Sequence, residues 1–227
     1  MSVAIVIPTR DEAAALPGLL GHLAALPGEW EVVVADGGSR DGTAALARAH
    51  PRADHVVEVP GGRAAQLNAG ARAARGDPVV FLHADSRLPD TAAATLGAAA
   101  ADPGILGGNF TLRFEGGGAF AALLGVIYAL QRRRGYYYGD SSVWVRRAAF
   151  EALGGFRPLP IMDDYDFVRR LEGAGRTVRL PGPATTSARR WQSAGVPRTL
   201  LAWAVIRWLF LVGVPPARLA GLYRRVR

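Results

Sequence analysis

Apolar residues follow two rhythms in the first half of the chain. Short, largely apolar runs at residues 3–7, 31–35, 56–59 and 79–82 have the length and composition of buried strands. Between them, apolar residues recur at helical spacing, clearest at Leu16, Leu19, Leu20, Leu23 and Leu26 within residues 12–26. Residues 41–49 and the Ala-rich stretch 63–75, closed by Gly76, read as the next two helices. Strands alternating with helices predict an α/β fold whose sheet is mostly parallel, with right-handed crossovers and helices on its flanks.

The second half is less regular. Residues 105–114 read as a strand in which Gly107 and Gly108 mark a bulge or a close backbone approach. An apolar helix over 119–130 runs into Arg132, Arg133 and Arg134. A strand over 142–145 precedes a helix over 147–153 with a Gly154-Gly155 stop. Residues 163–173 form an amphipathic helix, and a strongly apolar helix over 199–212 precedes Pro215-Pro216 and a basic tail.

Composition narrows the chemistry. A chain of 227 residues, half of them hydrophobic, is globular and fits one sizeable domain. The absence of cysteine excludes a disulfide scaffold, thiolate metal sites and a cysteine nucleophile. A net charge of +8 attracts anions. No recognised nucleic-acid motif accompanies the basic residues, so nucleic acid is not an expected partner. No charged leader with an apolar core precedes the first strand, and no apolar run reaches the roughly 20 residues of a membrane span. The expected location is cytoplasmic; the apolar helices are either buried in the fold or associate with the inner face of the plasma membrane, with the arginines beside them touching acidic headgroups.

Polar, turn-forming residues follow the strands, where open α/β sheets bind ligands. The first strand runs into Pro8-Thr9-Arg10-Asp11-Glu12, a loop that can cradle a nucleoside. In a purely structural role, Pro8 ends the ladder and Thr9 caps the next helix. The second strand ends at Asp36-Gly37-Gly38-Ser39, where glycine admits a ligand and Asp36 can accept from a base N–H. A plain turn capped by Ser39 or Asp41 is the alternative. Arg63, behind Gly61-Gly62 at a helix amino end, suits a diphosphate. Asp85 closes Val79-Val-Phe-Leu-His-Ala-Asp85 and can hold Mg²⁺ or Mn²⁺ on that diphosphate, or cap a helix. Asp163, Asp164 and Asp166 cluster at a helix start, where acidic charge is also favourable in itself.

These segments occur in the order of a known family. VIPTRDEAAAL (6–16), VVVADGGSRDGT (32–43), GRAAQLNAGARAARGD (62–77) and VVFLHADSRLP (79–89) resemble the donor half of a family 2 glycosyltransferase with the nucleotide-diphospho-sugar (GT-A) fold. GDSSVWVRRAAFEALGGF (139–156) and PIMDDYDFVRRL (160–171) resemble its acceptor half. The resemblance implies that Thr9 and Glu12 contact the nucleoside, that Asp36 reads the uracil edge and that Arg63 contacts the donor. Pro8, Gly37 and Ala84 fall in the same loops. Asp85 matches the last Asp of the Asp-x-Asp metal motif, with His83 in place of the first. Asp164 matches the general base, and Asp163 replaces the usual Glu before it. Arg190-Trp191 resembles the end of a Gln-x-x-Arg-Trp motif, with Ser187 in place of Gln. Tyr138 and Asp140, with Arg190 and Trp191, are the acceptor candidates. The His83-Ala84-Asp85 form and the Leu211–Pro215 turn are similar to bacterial transferases associated with arsenosugar biosynthesis.

The resemblance therefore implies a metal-dependent, inverting transfer of a sugar from a UDP-sugar to a small-molecule or lipid acceptor. Crowding of the three aspartates is expected to raise at least one pKa. By helical spacing Asp163 and Asp166 share a face more nearly than either shares with Asp164. Residues 1–195 are expected to form the GT-A domain, with a donor half over about 1–90 and an acceptor half over about 91–195. Residues 196–227 would be a C-terminal helical extension. The competing expectation is a catalytically weak nucleotide-sugar-binding or membrane-interaction module. A nucleotidyltransferase is disfavoured, since no Lys accompanies the first glycine-rich loop.

Overall fold

The structure, a computed structural model, describes residues 2–116, 118–187 and 196–226. Its centre is an eight-stranded sheet in the order β3-β2-β1-β4-β7-β6-β8-β5. The strands are β1 (Val3–Thr9), β2 (Trp30–Asp36), β3 (His55–Glu58), β4 (Val79–Phe81), β5 (Ser86–Arg87), β6 (Ile105–Glu115), β7 (Trp144–Val145) and β8 (Arg176–Ser187). β1 pairs in parallel with β2 and β4, β2 with β3, and β6 with β8. β7 runs antiparallel to both β4 and β6, and so splices the amino-terminal parallel half to the rest.

Each central strand is apolar on both sides because both faces are covered. Val3, Ile5 and Ile7 of β1, with Val32 and Val34 of β2, face one core. There they meet Leu16, Leu20 and Leu23 of α1 (Leu16–Ala25), Ala47 of α2 (Thr43–Ala49) and Leu96 of α4 (Ala92–Ala100). Ala4, Val6, Val33, Val79 and Phe81 face the other. That core is filled by Leu67 of α3 (Arg63–Ala73), Phe150 of α6 (Arg147–Ala152) and Phe167, Val168 and Leu171 of α7 (Asp163–Ala174). Three further helical pieces complete the described chain: α5 (Gly118–Arg133), α8 (Val196–Leu211) and α9 (Pro216–Val226).

Several expectations change here. β1 does not stop at Pro8: Pro8 pairs in register with Ala35 and Thr9 with Asp36, so the strand delivers both to the sheet edge. Thr9 caps no helix, since α1 begins only at Leu16 after a turn closed by Glu12 O. The expected strand over 142–145 shortens to Trp144–Val145 because Ser142 is left-handed, with φ 51°. The basic tail is the helix α9. β8 escaped the periodicity because Pro181 and Gly182 interrupt it. Pairing with β6 jumps from Leu180 to Pro183 as Phe110 steps to Thr111, so the two residues are bulged out. A register shift falls between Ile105 and Gly107, and Gly108 makes the close backbone approach, where a Cβ would lie 1.8 Å from Val178 O.

Candidate active site

A cleft of about 990 Å³ opens beyond the carboxyl ends of β1 and β4. Pro8, Thr9, Glu12, Gly37, Arg63, Ala84 and Asp85 line one side, and Tyr138, Asp140, Asp163 and Asp164 line the other. Residues scattered through the sequence thus meet in one groove. Arg190 and Trp191 lie outside the described residues.

The loops after β1 and β2 are tied to each other. Asp11 N donates to Ser39 Oγ at 2.9 Å, Arg40 N to Asp11 Oδ1 at 2.8 Å and Ala13 N to Asp41 Oδ2 at 2.9 Å. Asp36 is the knot of this assembly and is fully buried. Its carboxylate accepts from the Thr9 hydroxyl at 3.1 Å, from the Ser39 hydroxyl, and from Gly38 N and Ser39 N at 3.0 and 2.8 Å. Burial pushes its pKa up, but these hydrogen bonds outweigh burial and hold it below the ordinary carboxylate value. Asp36 therefore stands behind the cleft wall and shapes the loop, rather than presenting a free oxygen to the groove.

Arg63, at the first turn of α3, reaches across to the start of α7. Its guanidinium grips Asp163, contacts Asp164 Oδ2 at 3.2 Å and lies 3.3 Å from His83 Nε2. Asp164 Oδ2 also accepts from Gly139 N at 2.9 Å. Gly139 opens a short 3-10 turn (Gly139–Ser141), and a Cβ there would lie 3.1 Å from His83 Nε2, 3.2 Å from Asp164 Oδ2 and 3.3 Å from Arg63 Nη1. The missing side chain is what lets the three groups converge.

The aspartates do not behave as one crowded cluster. Burial raises the Asp163 pKa, against the pull of Arg63, and the Asp164 charge raises it further. At Asp164 burial is outweighed by Arg63 and the Gly139 N–H, so its pKa falls. Asp166 is absent from the cleft because Arg157 and Arg170 draw it away, at 3.1 and 2.8 Å. The first two residues of α7 both reach the groove from the helix end, where helical spacing does not separate faces. Burial also works against the charge of Arg63, yet the Asp164 and Asp163 charges prevail and push its pKa further above its ordinary range.

Asp85 lines the groove and, among the described residues, has no hydrogen-bond or ion-pair partner. Just beyond it, β5 pins the loop to β8, where Ser86 Oγ donates to Thr186 Oγ1 at 3.1 Å. Backbone strain gathers at the same place. Among the described residues, Asp11, Ser142 and Met162 are the non-glycine residues with positive φ, and each flanks a cleft loop. Met162, at φ 65°, immediately precedes Asp163 and Asp164.

Residues that sequence reasoning missed form the rest of the wall. Gln66 is 4% exposed and donates to Thr9 O at 2.6 Å. Tyr128 and Gln131 of α5 and Trp203, Ile206 and Arg207 of α8 line the groove. Tyr128 donates to Asp140 Oδ2 at 2.9 Å. Tyr138 stacks on Tyr165 with centroids 5.7 Å apart and faces Trp203 at 6.4 Å. Burial pushes the Tyr138 phenol up to about 12, with Arg207 pulling the other way. One signal for α8 was available: an arginine in the middle of an apolar helix needs a polar place to point. α8 and α9 also share an apolar cluster with Ile161, Met162 and Tyr165, so the segment after residue 195 is built into the site.

An α/β sheet of mixed direction, with a groove of carboxylates and an arginine at its strand ends, is the frame of a GT-A-like glycosyltransferase domain. The family model for glycosyl transferase family 2 matches residues 4–153, and the chain belongs to that family. The match ends before Asp163. Two relatives named undecaprenyl-phosphate 4-deoxy-4-formamido-L-arabinose transferase, from Aeromonas hydrophila and Pseudomonas paraeruginosa, are each 37% identical over 97 residues. That is 38% of this chain and 30% and 29% of theirs, so the match spans under a third of either relative. The mannosyltransferase PcManGT from Pyrobaculum calidifontis, solved with GDP-Man and Mn²⁺, superposes with a TM-score of 0.68 at 22% identity, covering 99% of this chain and 69% of that one. S. aureus TarS 1–349 in complex with UDP-GlcNAc gives 0.67 at 17%, covering 82% and 58%. These likenesses establish the fold.

Proposed function

We propose that the protein transfers a sugar from a UDP-sugar to a phosphate-bearing lipid or small-molecule acceptor, with inversion at the anomeric carbon. The observation that carries this reading is the meeting of Arg63, His83 and Asp164 around Gly139, with Asp85 in the same groove.

Asp164 is the base. Its lowered pKa keeps it ionised at neutral pH, ready to accept a proton, at some cost in basicity. The acceptor oxygen forms its bond to the anomeric carbon as Asp164 takes its proton. The bond from that carbon to the diphosphate breaks, and the nucleoside diphosphate leaves with the electron pair. Arg63 and Asp163 fix the position of Asp164. The loops knotted by Asp36 shape the nucleoside end, where Thr9, Glu12 and Gly37 lie. A divalent cation fits Asp85, whose carboxylate is otherwise uncommitted. With no cluster of three or more acidic or histidine ligands among the described residues, phosphate and water oxygens would complete its shell. When bound, such a cation neutralises charge developing on the leaving diphosphate.

Exposed apolar residues support contact with a bilayer surface. Leu201, Val205 and Trp208 follow helical spacing along α8, and Leu123, Val126 and Leu130 do so along α5. No helix among the described residues is long and apolar enough to cross a membrane. The two undecaprenyl-phosphate transferase relatives make a lipid phosphate a reasonable acceptor to try first.

Asp164→Asn tests the assignment. Sugar transfer should fall by about a thousandfold or more while UDP still binds, as read by product formation and calorimetry. Full turnover by the variant would remove Asp164 from the mechanism.

A further inference from the structure

Arg207 is an unusual residue for its place. It lies midway along α8, between apolar neighbours, and its side chain turns into the cleft. Its guanidinium interacts with the Tyr138 phenol and sits 5.9 Å from the centroid of the Tyr136 ring. Among the described residues no carboxylate lies within ion-pair reach of it. Arg63, by contrast, already spends its fork on Asp163 and Asp164. A half-buried guanidinium that lines the groove with no carboxylate in ion-pair reach is an unfilled anion site.

Its position assigns it to the acceptor. Arg207 meets Tyr138, the residue before Gly139, whose N–H holds Asp164. The cation thus stands by the wall that carries the base, on a different element from the loops of β1, β2 and β4. Around it the wall is apolar, with Trp203 one turn away, Ile206 beside it on α8, and Ile127 and Ile161 on neighbouring elements. One cation in an apolar wall matches a ligand with an anionic end and an apolar body.

We propose that Arg207 recognises the phosphate of the acceptor and so sets which acceptors the enzyme takes. This rests on the glycosyltransferase reading above. It makes Arg207 a specificity-determining residue distinct from the donor's own contacts. A lipid phosphate and a small phosphate ester present the same group, and the two are separated by what else they carry.

The test is calorimetric titration of the full chain, without nucleotide, with farnesyl phosphate, farnesol and glycerol 3-phosphate. Wild-type protein should bind farnesyl phosphate more tightly than farnesol. Arg207→Gln should weaken farnesyl phosphate by about tenfold or more and farnesol by no more than roughly twofold, and Arg207→Lys should restore part of the loss. Melting temperatures of both variants confirm that they are folded. Farnesyl phosphate binding above glycerol 3-phosphate supports a lipid source, and the reverse order a soluble one. Equal weakening of phosphate and alcohol, no weakening in Arg207→Gln, or wild-type binding of neither phosphate overturns the proposal. A separate titration with UDP keeps the two readings apart. Failure of UDP to bind wild-type protein counts against the donor reading, while the ratio of farnesyl phosphate to farnesol still decides the role of Arg207.

Discussion

Arg63 holds Asp163 with both sides of its guanidinium: Nε donates to Oδ2 at 3.1 Å and Nη2 to Oδ1 at 2.7 Å, across 100 residues of chain. Asp163 is 5% exposed and cannot turn to water if the arginine goes. Arg63→Gln should therefore destabilise the protein by about 3 kcal/mol, the low end for a buried pair because Arg63 itself is 34% exposed. The double variant Arg63→Met with Asp163→Leu should recover only part of that loss, since Asp164, which Arg63 also contacts at 3.2 Å, keeps its charge and loses its cation. Denaturant unfolding of the wild type and the two variants measures both numbers.

Gly139 separates activity from stability. Its amide holds Asp164, and a Cβ would press on His83, Asp164 and Arg63 at 3.1 to 3.3 Å. Gly139→Ala should lower kcat by roughly a hundredfold, as displacements of less than about 1 Å at reacting groups do, while the melting temperature stays nearly unchanged. Steady-state kinetics beside a thermal melt reads the two effects.

Asp36 gives the fold an acid limit. Its pKa is lowered in the folded state, so its contribution is fully present above the unfolded value near 4 and is lost as pH falls through the lower folded value. Melting temperatures taken from pH 6 down to about pH 3 should fall more steeply for the wild type than for Asp36→Asn. At neutral pH the variant should be the less stable by about 2 kcal/mol, because four donors lose a charged acceptor.

The exposed face of α8 predicts surface binding. Trp208 is 61% exposed and Leu201 is 66% exposed. Replacing both with Asp should reduce co-sedimentation with vesicles that contain anionic phospholipid by about tenfold or more, without altering the melting temperature. Undiminished binding would place the contact elsewhere on the molecule.

The parallel core was legible because its strands are buried on both faces and so stand out as apolar runs between helical repeats. Asp85 and the Asp163-Asp164 pair were legible as polar residues at element ends. What escaped notice had no local signature. The partners of Asp36 lie across loops, so its use as an internal knot emerges only when Thr9 and Ser39 close on it. β8 was hidden by Pro181 and Gly182, which the sheet expels as a bulge. Asp166 was grouped with its neighbours by spacing, yet Arg157 and Arg170 decide where it points. α9 looked like a charged tail because arginines dominate its sequence, and the packing of Leu219 and Tyr223 is visible only against α8.

The last two helices pack on Ile161, Met162 and Tyr165 and furnish much of the wall opposite the nucleotide loops. On the proposed function, part of the acceptor wall is thereby carried by a stretch of chain separate from the loops of β1, β2 and β4. If the proposed function holds, changes within residues 196–226 can retune the molecule that receives the sugar while the loops after β1, β2 and β4 are left as they were. Exchange of that stretch between related chains is a practical route to redirecting the enzyme.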